Sequence, residues 1–277
     1  MPTPKNHLGV NESAITKAVE RMIRDASVDI ELTVQRYLAR GAKFPAKIET
    51  ELYRALMDLA EQYTVDLQAG AWGREIVAAA RKGGKSVEGA AFELSRAQID
   101  VALSNAGHKI KNVLAQGVAE VQDIVASGLI RPSFDLHEIS VQVQQRVQVS
   151  GGVIDQARAD SIARNEVFSV YRQTSKAAAD AEKLDLFQMR GPVDVRTTQL
   201  CRDHVGEVHT AEEWGKIRLA AGGKNGPRSL KEAIALVFQF GLHYGCRHSF
   251  DAVRSVNSPG VQRYLELAER QVERVAA

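Results

Sequence analysis

Residues 156–190 read QARADSIARNEVFSVYRQTSKAAADAEKLDLFQMR, and the organisation of the fold changes within this stretch. Up to Lys183 the sequence predicts one long helix, whereas beyond it Gly, Pro and His become frequent and the helical period is lost. Residues 186–189 and 193–195 have the composition of short strands. The sequence therefore predicts a compact α+β module that begins near residue 186.

The sequence before this stretch predicts long amphipathic helices. Residues 12–40 carry one apolar stripe at steps of three and four, formed by Ile15, Val19, Met22, Ile23, Ala26, Ile30, Val34 and Leu38. The predicted helices cover about residues 12–40, 45–81, 86–127, 133–150, 155–183 and 258–277. Because a lone helix cannot hide such a stripe, the helices must cover one another or a partner surface. The predicted fold class is mainly α with a small C-terminal α+β module.

The composition argues against several classes of protein. Of the 277 residues, 44% are hydrophobic and 25% charged, which is ordinary for a globular chain. The formal net charge of +2 gives no general attraction to nucleic acid or to a membrane surface. The chain contains no run of about 18 apolar residues, so the sequence predicts no membrane-spanning helix. A host-directed DNA-binding protein is disfavoured by the charge balance and by the lack of a helix-turn-helix signature.

The chain has only two cysteines, and both lie in short clusters that also hold four of its seven histidines. Residues 197–209 read TTQLCRDHVGEVH, and residues 243–248 read HYGCRH. This concentration predicts that the two segments meet in space. Thiolate and imidazole are the ligands that zinc prefers, and a structural zinc site takes four of them. The candidate ligands are Cys201, His204, His243, Cys246 and His248.

Two other interpretations of these clusters stay open. In the first, the histidines, Arg196 and Arg247 hold the loops together through backbone carbonyls and Asp194 or Asp203, and the cysteines are small buried groups. In the second, Cys201 and Cys246 form a disulfide. We expect the two sulfur atoms to lie within about 7 Å of one another, beside at least one histidine.

Arg164 and Glu166 lie on the predicted helix that precedes the module. We interpret Glu166 as the partner of Arg196 or Arg247, because a bidentate contact between an arginine and a carboxylate would orient the helix on the module. A catalytic role for Glu166 is the alternative.

Basic residues surround the Gly-rich segment 222–228, which predicts a loop. They are candidates for contacts with DNA phosphates, and a solvated loop is the alternative. These residues are Lys216, Arg218, Lys224, Arg228 and Lys231.

The order of these features resembles the phage Mu F-like head morphogenesis family, the minor capsid (minor head) proteins of tailed phages. The elements that carry the resemblance are the turn at Gly128, the helix SFDLHEISVQVQQRV, the segment Ile162–Glu166, Arg196-Thr197 leading to Cys201, then Trp214 and the 243–248 cluster. The chain departs from the family at Asn165, where Thr is usual, and at Gly241-Leu242, where a Pro is usual. The resemblance covers roughly residues 128–252. The N-terminal helices, residues 1–127, lie outside it and are predicted to be an assembly region because their apolar stripes exceed what a lone helix can hide. Residues 253–277 are predicted to be a helical tail.

The family implies a structural protein of the phage head interior, near the portal, that helps procapsid assembly and genome packaging or delivery. It would be present in the host cytoplasm during assembly. Its implied partners are the portal or major capsid protein and, through non-specific contacts, double-stranded DNA, and self-association stays open. No catalytic triad or carboxylate pair predicts an enzyme. The alternative is a nuclease-like, metal-dependent hydrolase that uses the Cys/His cluster, with His209 and Asp203 or Glu207 lining an open metal position.

Overall fold

The computed structural model describes residues 11–39, 45–86, 96–129, 135–148, 156–223 and 226–276. Over these ranges the chain forms helices α1 (Glu12–Ala39), α2 (Pro45–Ala69), α3 (Ala71–Gly84), α4 (Arg96–Leu129), α5 (Leu136–Gln148), α6 (Gln156–Ala181), α7 (Gln199–His204), α8 (Ala211–Ala221), α9 (Leu230–Phe240) and α10 (Pro259–Ala276), and strands β1 (Leu186–Arg190), β2 (Val208–Thr210) and β3 (Ser249–Val253). The predicted fold class, mainly α with a small C-terminal α+β module, is confirmed. Within these ranges no helix is both long and apolar enough to cross a membrane.

The chain divides into two compact units, each built from segments that are distant in sequence. The helical unit comprises Ser13–Arg74 and Leu103–Ala163. The sheet-containing unit comprises Met1–Glu12, Glu75–Ala102 and Arg164–Ala277. The module expected from residue 186 is thus part of a larger unit that includes most of α6. The division at 127/128 implied by the family resemblance stays a prediction.

The helical unit buries the apolar stripe that the sequence predicts on α1. All eight residues of that stripe are buried, from Ile15 to Leu38. On α2, the Tyr63 hydroxyl donates a 2.6 Å hydrogen bond to the Asp29 carboxylate of α1. The indole N–H of Trp72, a fully buried side chain, donates to the Ala163 carbonyl at 2.9 Å. The stripe and these two bonds fix the helices of this unit against one another.

Two helix boundaries differ from the predicted ones. The Ala-rich sequence up to Arg81 does not continue α2, because the chain bends at Gly70 and α3 starts at Ala71. The helix expected from Ser86 is described only from Arg96 onwards, and residues 87–95 lie outside the described ranges.

The sheet of the second unit has the strand order β2-β1-β3 and is antiparallel throughout. The central strand, β1, confirms the strand predicted at 186–189. The other predicted strand, 193–195, was wrong: these residues form a turn in which the Thr197 N–H donates to the Asp194 carbonyl at 3.0 Å. Helices α7, α8 and α9 and strands β2 and β3 were not predicted.

Aromatic side chains form the core of this unit on one face of the sheet. Phe187, Trp214, Phe238 and Phe250 pack edge to face, with ring centroids 4.8–6.0 Å apart along the chain of contacts. The Trp214 N–H donates to the Phe187 carbonyl at 2.9 Å. Both cysteines belong to the same core. The sheet and its helices therefore bring the two Cys/His segments into one packed region.

Candidate metal centre

Cys201 and Cys246 face one another in the core of the sheet-containing unit. Cys201 lies on the short helix α7, whose first turn is capped by the Thr198 hydroxyl, and Cys246 lies in the loop after α9. Their sulfur atoms are 3.7 Å apart, and the two residues are 0% and 1% exposed. Both are free thiols. The predicted proximity of the two cysteines is confirmed.

His243 completes a group of three converging ligand atoms. Its Nε2 lies 3.2 Å from the Cys201 Sγ, and all three ligand atoms lie within 4.8 Å of one another. The other ring nitrogen, Nδ1, lies 2.8 Å from the Tyr244 carbonyl oxygen, which can only accept. Nδ1 therefore donates to this carbonyl, and Nε2 faces the Cys201 thiol and the Thr198 hydroxyl, which lies 3.1 Å away. This tautomer leaves Nε2 able to bind a metal ion.

The two other histidines predicted as ligands have different positions. His248 is buried, and its Nδ1 lies 3.5 Å from the Cys246 Sγ, so it borders the group. Its Nε2 is buried without a hydrogen-bond partner among the described residues. His204 was wrongly placed in this set: its Nδ1 lies 2.6 Å from the Glu207 carboxylate, which orients the ring towards a different group.

The geometry fits a tetrahedral zinc ion. Bonds of about 2.3 Å to sulfur and about 2.0 Å to nitrogen put two thiolates about 3.8 Å apart, and a thiolate and an imidazole about 3.5 Å apart. The corresponding separations here are 3.7 Å between the sulfurs, 3.2 Å for Cys201 and His243, and 3.5 Å for Cys246 and His248. His248 contacts Cys246 and is the candidate fourth ligand, but its ligand atom does not lie within 4.8 Å of all three of the others.

The hydrogen bond between the two thiols shifts their pKa values in opposite directions. The hydrogen bond from Cys201 lowers the pKa of Cys246 well below the usual thiol value, against the opposing effect of burial. The same hydrogen bond, together with burial, raises the pKa of Cys201. The two thiols therefore titrate as a pair, in which the hydrogen bond between them favours loss of the first proton, and the thiolate is the form in which cysteine binds metals.

Arg172 of α6 supports the loop that carries His243 and Cys246. Its guanidinium is fully buried and donates to three backbone carbonyls, those of Gln239 at 2.9 Å, Cys246 at 3.1 Å and His248 at 2.9 Å. Burial lowers the pKa of Arg172 to about 10, so it stays charged at neutral pH, and nearby Cys246 and Glu166 oppose the lowering. The sequence did not identify Arg172, because nothing local distinguishes it from an exposed helical arginine.

Gly241 lets the same loop pass close to the thiols. Its φ of +78° lies in the left-handed region, and a Cβ at this position would come within 2.6 Å of the Cys246 Sγ.

Arg196 and Arg247 do not bind Glu166, which corrects the predicted pairing. Both bond instead to Asp194, Arg247 at 2.6 Å and Arg196 at 3.3 Å. Burial raises the pKa of Asp194, but these arginines outweigh it and hold the pKa well below its usual range.

The remaining residues singled out by the sequence are Thr197, Glu166 and Arg164. Thr197 is buried in the same turn, and its hydroxyl accepts from the Asp194 N–H at 3.0 Å. Glu166 is buried on α6, where its charge opposes the lowering of the pKa of Arg172 by burial. Arg164 of the same helix is half-buried. Arg172 of the same helix contacts the module through three backbone carbonyls.

The five basic residues proposed for DNA contacts do not form one exposed set. Arg218 is buried and donates to the Gly241 carbonyl, so its place in the set was wrong. Lys216 is exposed but pairs with Glu212 at 2.7 Å. Arg228 and Lys231 are exposed, and Lys224 lies outside the described residues.

No protein-family model matches the chain, and no curated protein or solved structure matches it either. The function therefore has to be inferred from the residues of this chain and their geometry.

Proposed function

We propose that this chain is a structural minor head protein of a tailed phage or prophage, without catalytic turnover of its own. It acts in the head interior near the portal, in procapsid assembly and genome packaging or delivery, and is present in the host cytoplasm until assembly. The observation that carries the proposal is the ordered set of elements that resembles the Mu F-like family, namely Ile162–Glu166, Arg196-Thr197, Cys201 and the 243–248 cluster.

The contacts among these elements support reading them as one motif. The helix that carries Ile162–Glu166 also supplies Arg172, whose side chain binds the backbone of the 243–248 cluster. Asp194 joins Arg196 to Arg247 of that cluster. Segments that match by chance would have no physical reason to depend on one another in this way.

The proposal includes a structural zinc ion held by Cys201, His243 and Cys246, with His248 as the fourth ligand. Structural zinc sites are closed, whereas catalytic sites keep an open position, and the burial of both thiols and of His248 favours a closed site. The ion would tie α7 to the loop after α9, which lies about forty residues further along the chain, and so contribute free energy to folding.

The partner we propose for the helical unit is the portal or the major capsid protein. Val28 and Leu32 are one turn apart on the outer face of α1 and are 51% and 49% exposed. Side chains four residues apart are neighbours on a helix, so these two form a small apolar surface. Three arginines of α1, at positions 21, 24 and 36, flank it on the exposed face. An apolar pair with a charged rim is typical of a protein interface.

Packaged DNA is a weaker partner in this proposal. Arg218 is buried, and Lys216 pairs with Glu212. Among the described residues of the predicted loop contacts, this leaves Arg228 and Lys231 as exposed cations, on a chain of near-neutral net charge. Two phosphate contacts give only weak, strongly salt-dependent binding.

The alternative, a hydrolase that uses the Cys/His cluster, has less support. Its case would improve if His209, with Asp203 or Glu207, lined an open metal position beside the cysteines. These residues group with His204 instead, and Asp203 accepts a hydrogen bond from the Gln199 side chain.

The proposal is tested first in the phage or prophage that encodes the chain. We expect the protein in purified heads by mass spectrometry, and we expect disruption of its gene to lower the yield of DNA-filled heads while portal and capsid proteins are still made. A complementing plasmid should restore the yield. Heads that lack the protein, together with normal yield after disruption, would contradict the proposal.

The proposed surface is tested by a matched pair of substitutions. Leu32→Asp should abolish co-purification with the portal or major capsid protein, because it puts a charge into the apolar surface. Leu267→Asp is the control, since Leu267 of α10 is 48% exposed and the change is chemically identical. Equal binding by both variants would remove α1 from the interface.

A further inference from the structure

His204, Glu207 and His209 form a second group of side chains that could bind a metal ion, and it includes neither cysteine. The Nδ1 of His204 lies 2.6 Å, and the Nε2 of His209 lies 3.0 Å, from the same Oε2 of Glu207. The three ligand atoms lie within 4.8 Å of one another. Two imidazole nitrogens and a carboxylate oxygen thus converge on one small volume.

The local chain geometry explains this convergence. Glu207 and His209 are two residues apart in the extended segment that enters β2, so their side chains lie on the same face. His204 ends α7, and the turn at Gly206 reverses the chain so that His204 returns to that face. Gly206 has a φ of +93°, and its N–H donates to the Met189 carbonyl at 2.8 Å. The turn is therefore anchored to the central strand.

The imidazoles of His204 and His209 are held in position by packing against Trp214. Both rings pack edge-on against the fully buried Trp214, with centroid separations of 6.2 Å for His204 and 4.7 Å for His209. The Glu213 carboxylate lies 3.9 Å from Nδ1 of His209. At this distance it makes no hydrogen bond to the ring, and its Oε2 accepts instead from the Thr210 N–H and hydroxyl. The packing against Trp214 is therefore what orients the two imidazoles.

We propose that His204, Glu207 and His209 bind a divalent transition-metal ion of the zinc class, at a site distinct from the cysteine centre. Imidazole with one carboxylate suits zinc, cobalt or nickel better than magnesium or calcium, which prefer oxygen ligands only. The three side chains are 25%, 40% and 30% exposed, so the ion exchanges with solvent and water fills its remaining positions. The proposal does not depend on the proposed function.

Cobalt titration of the full-length protein, stripped of metal with a chelator, separates the two sites. A cysteine site gives a thiolate-to-cobalt charge-transfer band, whereas a site of two histidines and a glutamate gives only ligand-field bands. We expect wild type to bind two equivalents. His209→Ala should keep the charge-transfer band and bind the other equivalent at least about tenfold more weakly, since even loss of an outer partner costs that much. Glu207→Gln, which preserves shape and removes the charged ligand, should weaken the same equivalent.

The control is His137→Ala, because His137 of α5 is an exposed histidine outside both groups. It should leave both equivalents unchanged. Circular dichroism of each variant checks that it is folded, and the Glu207→Gln variant keeps the test valid if His209→Ala does not fold. The proposal is overturned if wild type binds no equivalent that shows ligand-field bands without the thiolate charge-transfer band, or if His209→Ala and Glu207→Gln both bind that equivalent with the wild-type affinity. Absence of the charge-transfer band alone would count against the cysteine centre and not against this site.

Discussion

Replacing Arg172 with Met should destabilise the sheet-containing unit by about 3 kcal/mol or more. The substitution keeps an apolar stem of similar length but removes the donor for three carbonyls, the buried ones of Cys246 and His248 and the partly buried one of Gln239. Each carbonyl left without a partner costs about 1–3 kcal/mol, and three at the lower end give about 3 kcal/mol. The guanidinium is no longer desolvated in the variant, which offsets part of the upper range and makes the lower figure the better expectation.

Urea unfolding followed by tryptophan fluorescence measures this effect in the relevant unit. The chain has two tryptophans, Trp72 in the helical unit and Trp214 in the sheet-containing unit. A Trp72→Phe background therefore makes Trp214 the only reporter. In this background Arg172→Met should lower the free energy of unfolding by about 3 kcal/mol. The variant should also bind zinc about 10–100-fold more weakly, because the backbone on both sides of Cys246 loses its support.

Two further variants separate the causes. Gln173→Ala, on the exposed neighbour of Arg172 in α6, should change the free energy of unfolding by less than about 0.5 kcal/mol. Arg172→Lys keeps the charge but not the planar fork that reaches three carbonyls, so it should be intermediate. A loss below about 1 kcal/mol for Arg172→Met, with unchanged zinc affinity, would refute the role assigned to this arginine.

Three other predictions follow from the same unit. Purified protein should contain tightly bound zinc, and Cys246→Ser should release it and lower the Tm, whereas retention of the full zinc content would argue for the purely hydrogen-bonded cluster. Because Arg247 holds the pKa of Asp194 below its unfolded value of about 3.9, the stability from this pair is present above about pH 4 and is lost as the pH falls through the folded pKa. Asp194→Asn should therefore lower the Tm at neutral pH and flatten its fall in acid, and an unchanged acid profile would contradict the pairing. Single- and double-stranded DNA incubated with the purified protein and magnesium, manganese or zinc should remain uncut. Any binding of the DNA should weaken steeply as the salt concentration rises. Cleavage that survives repurification and disappears in His204→Ala would favour the hydrolase.

Local patterns in the sequence determined the parts of the fold that depend on periodicity. The stripe on α1 is buried at every predicted position, because side chains at steps of three and four share one face whatever covers them. Strand β1 was found at its predicted position. The capping box of α8, Thr210 with Glu213, was also legible as a Thr-x-x-Glu pattern, although the prediction did not use it.

The approach of the two Cys/His segments was inferred from composition alone, since two rare residue types in two short clusters imply a shared site. The membership of the site was not determined in this way. From their spacing to a cysteine, His204 and His243 are equally plausible ligands. In the structure, the turn at Gly206 brings His204 into contact with Glu207, and the loop after α9 brings His243 into contact with Cys201.

Only the tertiary structure decided which charged residues are buried. Lys216 and Arg218 are two residues apart on α8 and so point about 200° apart around the helix. The packing of α8 against α9 buries the second and leaves the first in solvent. Arg172 is likewise an ordinary helical arginine until residues 239–248, some seventy positions away, bring their carbonyls to it. Periodicity predicts that a face will be covered, but the partner that covers it is fixed by contacts between segments far apart in the chain.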